Sequence, residues 1–225
     1  IEKTGFLGGN SIVAGGIYNA PDPDLQDYAE ISGDQDSLVE AALAEEPVSE
    51  EHAELQEAVR LEFEAYKETD KTLFDSANWF ALQTWNGGDK IADLDLVKVL
   101  TAGAYPALEW LESMGVVWTL MDSLYYGQTE YRMLNAEGNG AGMTSKMIDH
   151  LNSLENVTVM LETTGTGLIT NQANEVIGAT AEGKDGSMVI YADNVVLATS
   201  GFAANKEMLE KYIPEIVDAY PMVAP

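Results

Sequence analysis

Cysteine is absent from the 225 residues of the sequence. This absence excludes a disulfide framework, a thiolate metal site and a cysteine-ligated iron–sulfur cluster in this stretch. It also excludes a cysteine nucleophile, but it does not identify the redox compartment.

Basic residues are also scarce, since 11 Lys and Arg stand against 38 Asp and Glu and give a formal net charge of −27. Phosphate backbones and anionic membrane surfaces attract basic proteins, so we expect neither nucleic acid nor an anionic membrane as a partner. No apolar run approaches the roughly 20 residues that a membrane-spanning helix needs. We therefore expect a soluble protein, with the cytoplasm and the cell envelope both open as its location.

The acidic residues are concentrated between residues 22 and 70, where 17 of the 38 lie beside only Arg60 and Lys67 as bases. Such a stretch is either an acidic docking surface for a basic partner or the solvated face of a set of helices. The second interpretation is favoured, and residues 34–90 are interpreted as a helical insertion.

Apolar residues at spacings of three and four predict helices over residues 34–44, 49–67, 93–114 and 143–154. Ser49 is the expected N-cap of the second helix, and Pro106 is expected to kink or divide the third. His52 is expected on the surface of the acidic helix. The third helix is expected to bury Leu96, Val99, Leu100, Leu108, Trp110 and Leu111.

From residue 156 the apolar period changes to that of strands. Residues 157–162 are predicted to form one strand, and two tight turns then predict a three-stranded meander. Residues 195–199 form a continuous apolar run, which is typical of a strand buried on both faces of a layered sheet.

The first sixteen residues combine an acid, Glu2, with two glycine pairs, Gly8–Gly9 and Gly15–Gly16. In a dinucleotide-binding βαβ unit, an acid about 20 residues after a G-x-G-x-x-G motif holds ribose hydroxyls. Glu2 suits that role, although the sequence does not contain the preceding strand and its glycine motif. A second glycine series, over residues 138–142, is better explained as a loop leading into a helix than as a phosphate loop.

Three segments of the chain resemble one known family. Ile-Glu-Lys followed by Gly-Gly-Asn-Ser and Ala-Gly-Gly lies over residues 1–16, Trp-Leu-x-x-x-Gly over residues 110–115, and Ala-Thr-Ser-Gly-Phe over residues 198–202. In this order they resemble the FAD-binding domain of the fumarate reductase and succinate dehydrogenase flavoproteins. That family includes soluble fumarate reductases and urocanate reductase.

The resemblance implies an α/β fold, namely a partial FAD/NAD(P)-binding, glutathione-reductase-like domain of three layers. It would contain a parallel sheet, an antiparallel β-meander and the helical insertion. Residues 1–225 would form part of this one domain, with the meander and a return strand over residues 156–201. The N-terminal G-x-G-x-x-G strand and the C-terminal capping and catalytic regions would lie outside the chain. We therefore expect the chain expressed alone to be poorly soluble or free of flavin.

The resemblance also implies FAD as the cofactor, with Glu2 on the adenosine ribose and Gly165 against the adenine. The residues that it assigns to FAD are Glu2, Lys3, Gly8, Gly9, Asn10, Ser11, Gly15, Gly16, Gly165, Ala198, Thr199 and Gly201. Two positions depart from the family pattern. Ser200 replaces a glycine, and the sequence after Arg132 lacks the family's histidine, which leaves the substrate less certain.

The reaction implied by the resemblance is hydride transfer from flavin N5 to the C=C bond of an α,β-unsaturated carboxylate such as fumarate or urocanate. The catalytic arginine and the substrate clamps would lie beyond Pro225, so no catalytic residue and no metal ligand is assigned here. A small carboxylate is the expected substrate, and a haem or FMN domain or protein is an option for the electron donor. Two alternatives stay open: a flavin-dependent dehydrogenase of a saturated acid or 3-ketosteroid, and a non-enzymatic acidic interaction module on residues 34–90.

Overall fold

A computed structural model describes residues 1–24, 35–121 and 132–217 of the chain. The chain forms two compact units, one of residues Ser11–His150 and one of residues Ile1–Asn10 with Leu151–Pro225. No helix in the described ranges is long and apolar enough to cross a bilayer.

Helices dominate the unit of residues 11–150. They are α1 (Gln35–Ala44), α2 (Glu50–Lys67), α3 (Ala77–Gly87), α4 (Leu94–Ser113) and α5 (Asn139–Ser153), the last continuing past His150. The predicted cap of α2 is confirmed, because Ser49 Oγ accepts a hydrogen bond from the His52 N–H at 3.2 Å. Helix α5 begins four residues earlier than predicted, so two of the three glycines of the second series lie inside its first turn.

The core of this unit lies between α1, α2, α3 and the start of α4. Its members are apolar side chains that are at most 8% exposed, among them Val39, Leu55, Val59, Phe63, Phe74, Trp79, Leu82, Trp85 and Val97. The prediction for His52 is wrong, because this side chain is fully buried and its ring meets Trp85 edge-on, with the centroids 4.9 Å apart. Its Nδ1 accepts a hydrogen bond from the Val48 N–H at 3.3 Å, which compensates part of its burial.

Helix α4 runs through Pro106 without a break. Proline lacks an N–H, so the carbonyl four residues earlier, that of Ala102, loses its helical donor. Both residues are exposed, so this carbonyl is accessible to solvent. Of the six α4 residues that were expected to be buried, only Leu108 and Leu111 are. The members that are exposed instead, by between 56% and 70%, are Leu96, Val99, Leu100 and Trp110.

A small antiparallel sheet accompanies these helices. Its strands are β1 (Ile17–Asn19), β2 (Trp118–Leu120) and β3 (Met133–Ala136), with β3 in the centre. Tyr18 on β1 lies opposite Leu134, and Leu134 packs on Ala104 and Leu108 of α4. This sheet fixes the chain that follows the first glycine loop.

The meander predicted in the second unit is confirmed. It consists of β4 (Thr164–Thr170), β5 (Val176–Gly183) and β6 (Gly186–Tyr191), paired antiparallel in chain order. The tight turn into β6 is built on Gly186, whose φ of +103° favours glycine. A short helix, α6 (Lys206–Tyr212), follows.

The two apolar segments predicted as further strands differ from expectation. Residues 157–162 form no strand. Their end is joined to the start of the chain by two backbone hydrogen bonds, from the Glu2 N–H to the Met160 carbonyl and from the Glu162 N–H to the Thr4 carbonyl. Residues 195–199 form no strand, and Val196 is 87% exposed. A strand needs a neighbour for its backbone N–H and C=O groups, and the described residues supply none to this segment.

Candidate cofactor site

The first glycine loop, residues 11–16, is held by two backbone hydrogen bonds within its unit. The Ala136 N–H donates to the Gly16 carbonyl at 2.9 Å, and the Gly140 N–H donates to the Ala14 carbonyl at 3.0 Å. The first bond attaches the loop to the end of β3 and the second attaches it to the start of α5. The loop is therefore positioned by the small sheet and by one helix end.

Two glycines allow this close packing. A Cβ on Gly16 would lie 2.5 Å from the carbonyl carbon of Asn139, and one on Gly140 would lie 2.1 Å from the Ser11 oxygen. Gly16 also has a φ of +71°, which other residues rarely adopt. Sequence reasoning did not assign Gly140 a place at the site; the glycine series of residues 138–142 was the signal.

Gly15 and Ser11 differ from Gly16 and Gly140, because both are exposed. A Cβ on Gly15 would meet only the flexible side chain of Ile17, at 3.8 Å. Packing against the described residues therefore gives no reason for a glycine at this position. Close approach of a ligand to the backbone would give one.

Glu2 is the best-defined site residue of the other unit. Its carboxylate accepts a hydrogen bond from the Thr4 N–H at 2.7 Å, and its backbone bonds to Met160 and Thr163. The Thr4 hydrogen bond lowers the pKa of the Glu2 carboxyl below its usual value, so the group is anionic at neutral pH. An anionic carboxylate with a free lone pair is a suitable acceptor for ribose hydroxyls.

The residues after Glu2 lead into the first glycine pair. Lys3 is exposed, and Gly8 and Gly9 have φ values of +105° and +47°. Gly9 begins the 3-10 turn Gly9–Val13, with Asn10 as its second residue. No atom of residues 1–24, 35–121 or 132–217 lies within 4 Å of a Cβ built on Gly9. This corner needs glycine for its conformation, and it leaves open space beside the backbone.

Gly165 lies in β4, two residues after the backbone contact of Thr163 with Glu2. A Cβ on Gly165 would lie 3.4 Å from the Ile1 side chain. The structure thus places Gly165 beside the start of the chain. Ala198, Thr199 and Gly201 are exposed and follow the unpaired segment of residues 195–199.

Ser200 is the residue that departs from the family pattern at this corner. Its φ is +63°, in the left-handed region where glycine has no steric penalty and serine does. The backbone at this corner therefore keeps the conformation that glycine favours, and the serine side chain adds strain.

Arg132 is a buried packing residue rather than a surface group. Its Nε and Nη2 donate to the Asp75 carboxylate at 2.9 and 2.6 Å, and Nη2 also donates to Gln83 Oε1 at 2.7 Å. The guanidinium carbon lies 4.4 Å from the centroid of the Phe80 ring. Two of the three guanidinium nitrogens of Arg132 are thus directed at Asp75 and Gln83.

The comparisons with solved structures show the fold. The chain is similar to the open conformation of a flavocytochrome c3 fumarate reductase, with a TM-score of 0.66 and 24% identity over 96% of this chain and 31% of that chain. It is also similar to the 3-ketosteroid-Δ4-(5α)-dehydrogenase of Rhodococcus jostii RHA1, with a TM-score of 0.62 and 16% identity over 96% of this chain and 43% of that chain. These likenesses show that the chain shares its fold with the two enzymes.

The sequence comparisons then give the family. The chain belongs to the FAD binding domain family, whose sequence profile matches residues 64–225. The urocanate reductase of Eggerthella lenta is 36% identical over 146 residues, which cover 63% of this chain and 24% of that protein. The NADH:acrylate oxidoreductase of Vibrio harveyi is 29% identical over 232 residues, which cover 94% of this chain and 23% of that protein.

The predicted resemblance, the predicted α/β FAD-binding fold class and FAD as the cofactor are thereby confirmed. The chain spans about a quarter of the length of the curated relatives that it matches. Its own residues fit the cofactor, because Glu2 is anionic and the corners at Gly9 and Gly15 are open beside their backbones. The individual FAD contacts remain predictions.

Proposed function

We propose that this chain is the FAD-holding part of an oxidoreductase that reduces the C=C bond of a small α,β-unsaturated carboxylate such as fumarate or urocanate. The observation that carries the proposal is family membership together with the urocanate reductase of Eggerthella lenta as a relative at 36% identity. Once bound and reduced by the electron donor, FAD would supply a hydride from its N5 atom. The chain's own residues bind and orient the cofactor.

The assigned residues would make different contacts with FAD. Glu2 would accept hydrogen bonds from the adenosine ribose, and Gly165 would leave room for the adenine beside β4. The loop of residues 11–16 would lie along the pyrophosphate and flavin, with Gly15 allowing close approach of the backbone. Lys3, Gly8, Gly9, Asn10, Ala198, Thr199 and Gly201 are proposed to complete the set.

For the substrate and the electron donor, we propose only the chemical class. A small carboxylate suits the relatives, whose names include a urocanate reductase, an NADH:acrylate oxidoreductase and a probable fumarate reductase. We assign no catalytic residue within the chain. A haem or FMN domain or protein is proposed as the electron donor, and the compartment is left open.

The cofactor is tested by the flavin absorption spectrum of the protein purified from its full coding sequence. We expect a yellow protein that releases FAD on denaturation. The Glu2→Gln variant keeps an oxygen for the Thr4 N–H but loses its charge, and it should bind FAD about tenfold more weakly. Glu109→Gln, which neutralises an exposed carboxylate on α4, is the matched control and should leave the affinity unchanged.

The reaction is tested by adding fumarate, urocanate and acrylate in turn to the enzyme with a reduced dye. Oxidation of the dye by one of these acids supports a reductase. Activity only with an oxidised dye and a saturated acid or 3-ketosteroid would instead establish the dehydrogenase alternative. A colourless full-length protein without affinity for added FAD would defeat both and leave the acidic interaction module.

A further inference from the structure

We propose that the buried Asp75–Arg132 ion pair is a positioning device that holds the glycine loop of residues 11–16 in the geometry required for FAD. The inference rests on the proposed cofactor-binding role of that loop. It assigns to the helical region of residues 34–90 a part in the function, beyond supplying a solvated acidic face. All the residues concerned lie in the unit Ser11–His150.

The pair is built for a fixed geometry. The side chains of Arg132 and Asp75 are 6% and 2% exposed, and two parallel hydrogen bonds of 2.9 and 2.6 Å join them. Gln83 accepts a third bond from the guanidinium, and the Phe80 ring covers its face. A bidentate pair with a stacked face restricts both the direction and the rotation of the arginine.

The carboxylate is itself fixed to the helical core. Asp75 Oδ1 accepts a hydrogen bond from the N–H of Ser76, the N-cap of α3. The Ser76 hydroxyl in turn donates to Glu62 Oε2 on α2 at 2.6 Å. The Asp75 end of the pair is therefore attached to both α2 and α3.

The arginine end is attached to the glycine loop through a short and continuous path. The Arg132 carbonyl accepts a hydrogen bond from the Ala20 N–H at 3.1 Å, and β3 begins at the next residue and pairs with β1. At the far end of β3, the Ala136 N–H donates to the Gly16 carbonyl at 2.9 Å. Rotation or retreat of Arg132 would thus shift β3, and β3 holds the end of the loop.

Stability alone does not account for an ion pair at this place. Burying two charges costs desolvation, and an apolar replacement of similar volume is often as stable as a buried pair. What the pair adds is a defined position of β3 against the helices. In accordance with that role, burial raises the pKa of the Asp75 carboxyl while the Arg132 charge opposes this shift, so the carboxylate depends on its partner.

The test compares three proteins purified from the full coding sequence. Asp75→Asn removes the charge but keeps the shape, and Arg132→Lys keeps the charge but loses the bidentate geometry. Leu55→Ala is the matched control, because it creates a cavity in the helical core without touching the path to β3. Should the single variants fail to fold, the double variant Asp75→Asn with Arg132→Gln replaces the ion pair by an uncharged amide pair.

Two readouts are measured, hydrogen exchange of the backbone amides in residues 11–16 without FAD, and the affinity for FAD by flavin fluorescence. In the pair variants we expect exchange of the loop to accelerate and FAD affinity to fall, each by about tenfold. Leu55→Ala should lower the melting temperature as much as the pair variants do, but it should change neither loop exchange nor FAD affinity. If the melting temperature of the pair variants falls but the hydrogen exchange of residues 11–16 is unchanged, the pair has only a structural role. That result would overturn the proposal.

The exchange readout separates this inference from the proposed function. Faster loop exchange in a protein that binds no FAD would refute the cofactor role while upholding the mechanical connection. Unchanged loop exchange in a protein that binds FAD would refute the connection alone. An equal loss of FAD affinity in Leu55→Ala would also overturn the proposal, since general loosening of the core would then explain it.

Discussion

The helical region around α2 and α3 and the meander of β4–β6 differ in how much of their apolar surface the described residues cover. In the helices, Val59 and Leu82 are fully buried. In the meander, Val189 and Tyr191 are 55% and 73% exposed. Both regions contain valine, and Val59 is fully buried whereas Val189 is exposed, so residue type alone does not explain the difference.

The difference in burial between the helices and the meander follows from how each region is layered. The helices α1 to α4 each bury one stripe against another helix, and together they enclose a core. The meander is a single sheet with two faces, and a sheet needs a packed layer on a face to bury it. Among the described strand residues of the meander, Ala181 is the fully covered apolar one, at 1% exposure. Mutations should therefore have very different effects in the two regions.

The largest effect is expected from Phe63→Ala in the helical core. Removing a buried aromatic side chain should lower the free energy of unfolding by about 3–5 kcal/mol. Val189→Ala in the meander should change it by less than about 0.5 kcal/mol, because that side chain is largely exposed already. Urea unfolding of both variants measures the contrast. Equal losses would show that the meander valine is buried in the folded protein.

A smaller loss in the free energy of unfolding is expected where a glycine permits close packing. Gly140→Ala places a Cβ 2.1 Å from the Ser11 oxygen, and the resulting displacement should cost about 1–3 kcal/mol. Gly103→Ala on the exposed side of α4 meets nothing within 4 Å and should stabilise the helix by up to about 1 kcal/mol. Thermal unfolding separates the two. A neutral Gly140→Ala would mean that the loop and α5 are not in contact.

The buried histidine makes the stability of the helical region depend on pH. Burial, and then the charge of Lys90, lower the pKa of His52 below its usual value of 6.5, while Glu45 opposes them. The unfolded chain therefore binds a proton first as pH falls, so the contribution of His52 is complete above pH 6.5 and is lost below it. For one proton, the free energy of unfolding changes by at most about 1.4 kcal/mol per pH unit.

His52→Phe should remove this pH dependence of the free energy of unfolding below pH 6.5, as measured by urea unfolding. His150→Gln changes the only other histidine, which is exposed on α5, and should retain it. A slope that survives in His52→Phe would assign the pH dependence to other groups.

The smallest effect is expected at the exposed corner after residues 195–199. Ser200→Gly relieves a left-handed serine and should stabilise the protein by about 1 kcal/mol, whereas Ser200→Ala should keep the strain. Differential scanning calorimetry of the two variants tests this. A less stable Ser200→Gly would show that the serine hydroxyl makes a compensating interaction.

The features that the sequence predicted correctly are those with local causes. The Ser49 cap, the turn at Gly186 and the meander depend on residues a few positions apart. The exposed Trp110 and the buried His52 were mispredicted because their burial depends on which neighbour packs against each helix face. The role of Gly140 was missed for the same reason, since its partner Ser11 is distant in the chain.

By itself, the sequence determined the family, the cofactor and the order of most helices and strands, because glycine spacing, caps and apolar periodicity are written in short stretches. Tertiary structure decided which helix faces are covered and how the glycine loop is held by β3 and α5. It also decided that Arg132 is buried against Asp75 rather than free for a ligand. The physical reason is that burial and desolvation are properties of two surfaces in contact, and one segment contains only one of them.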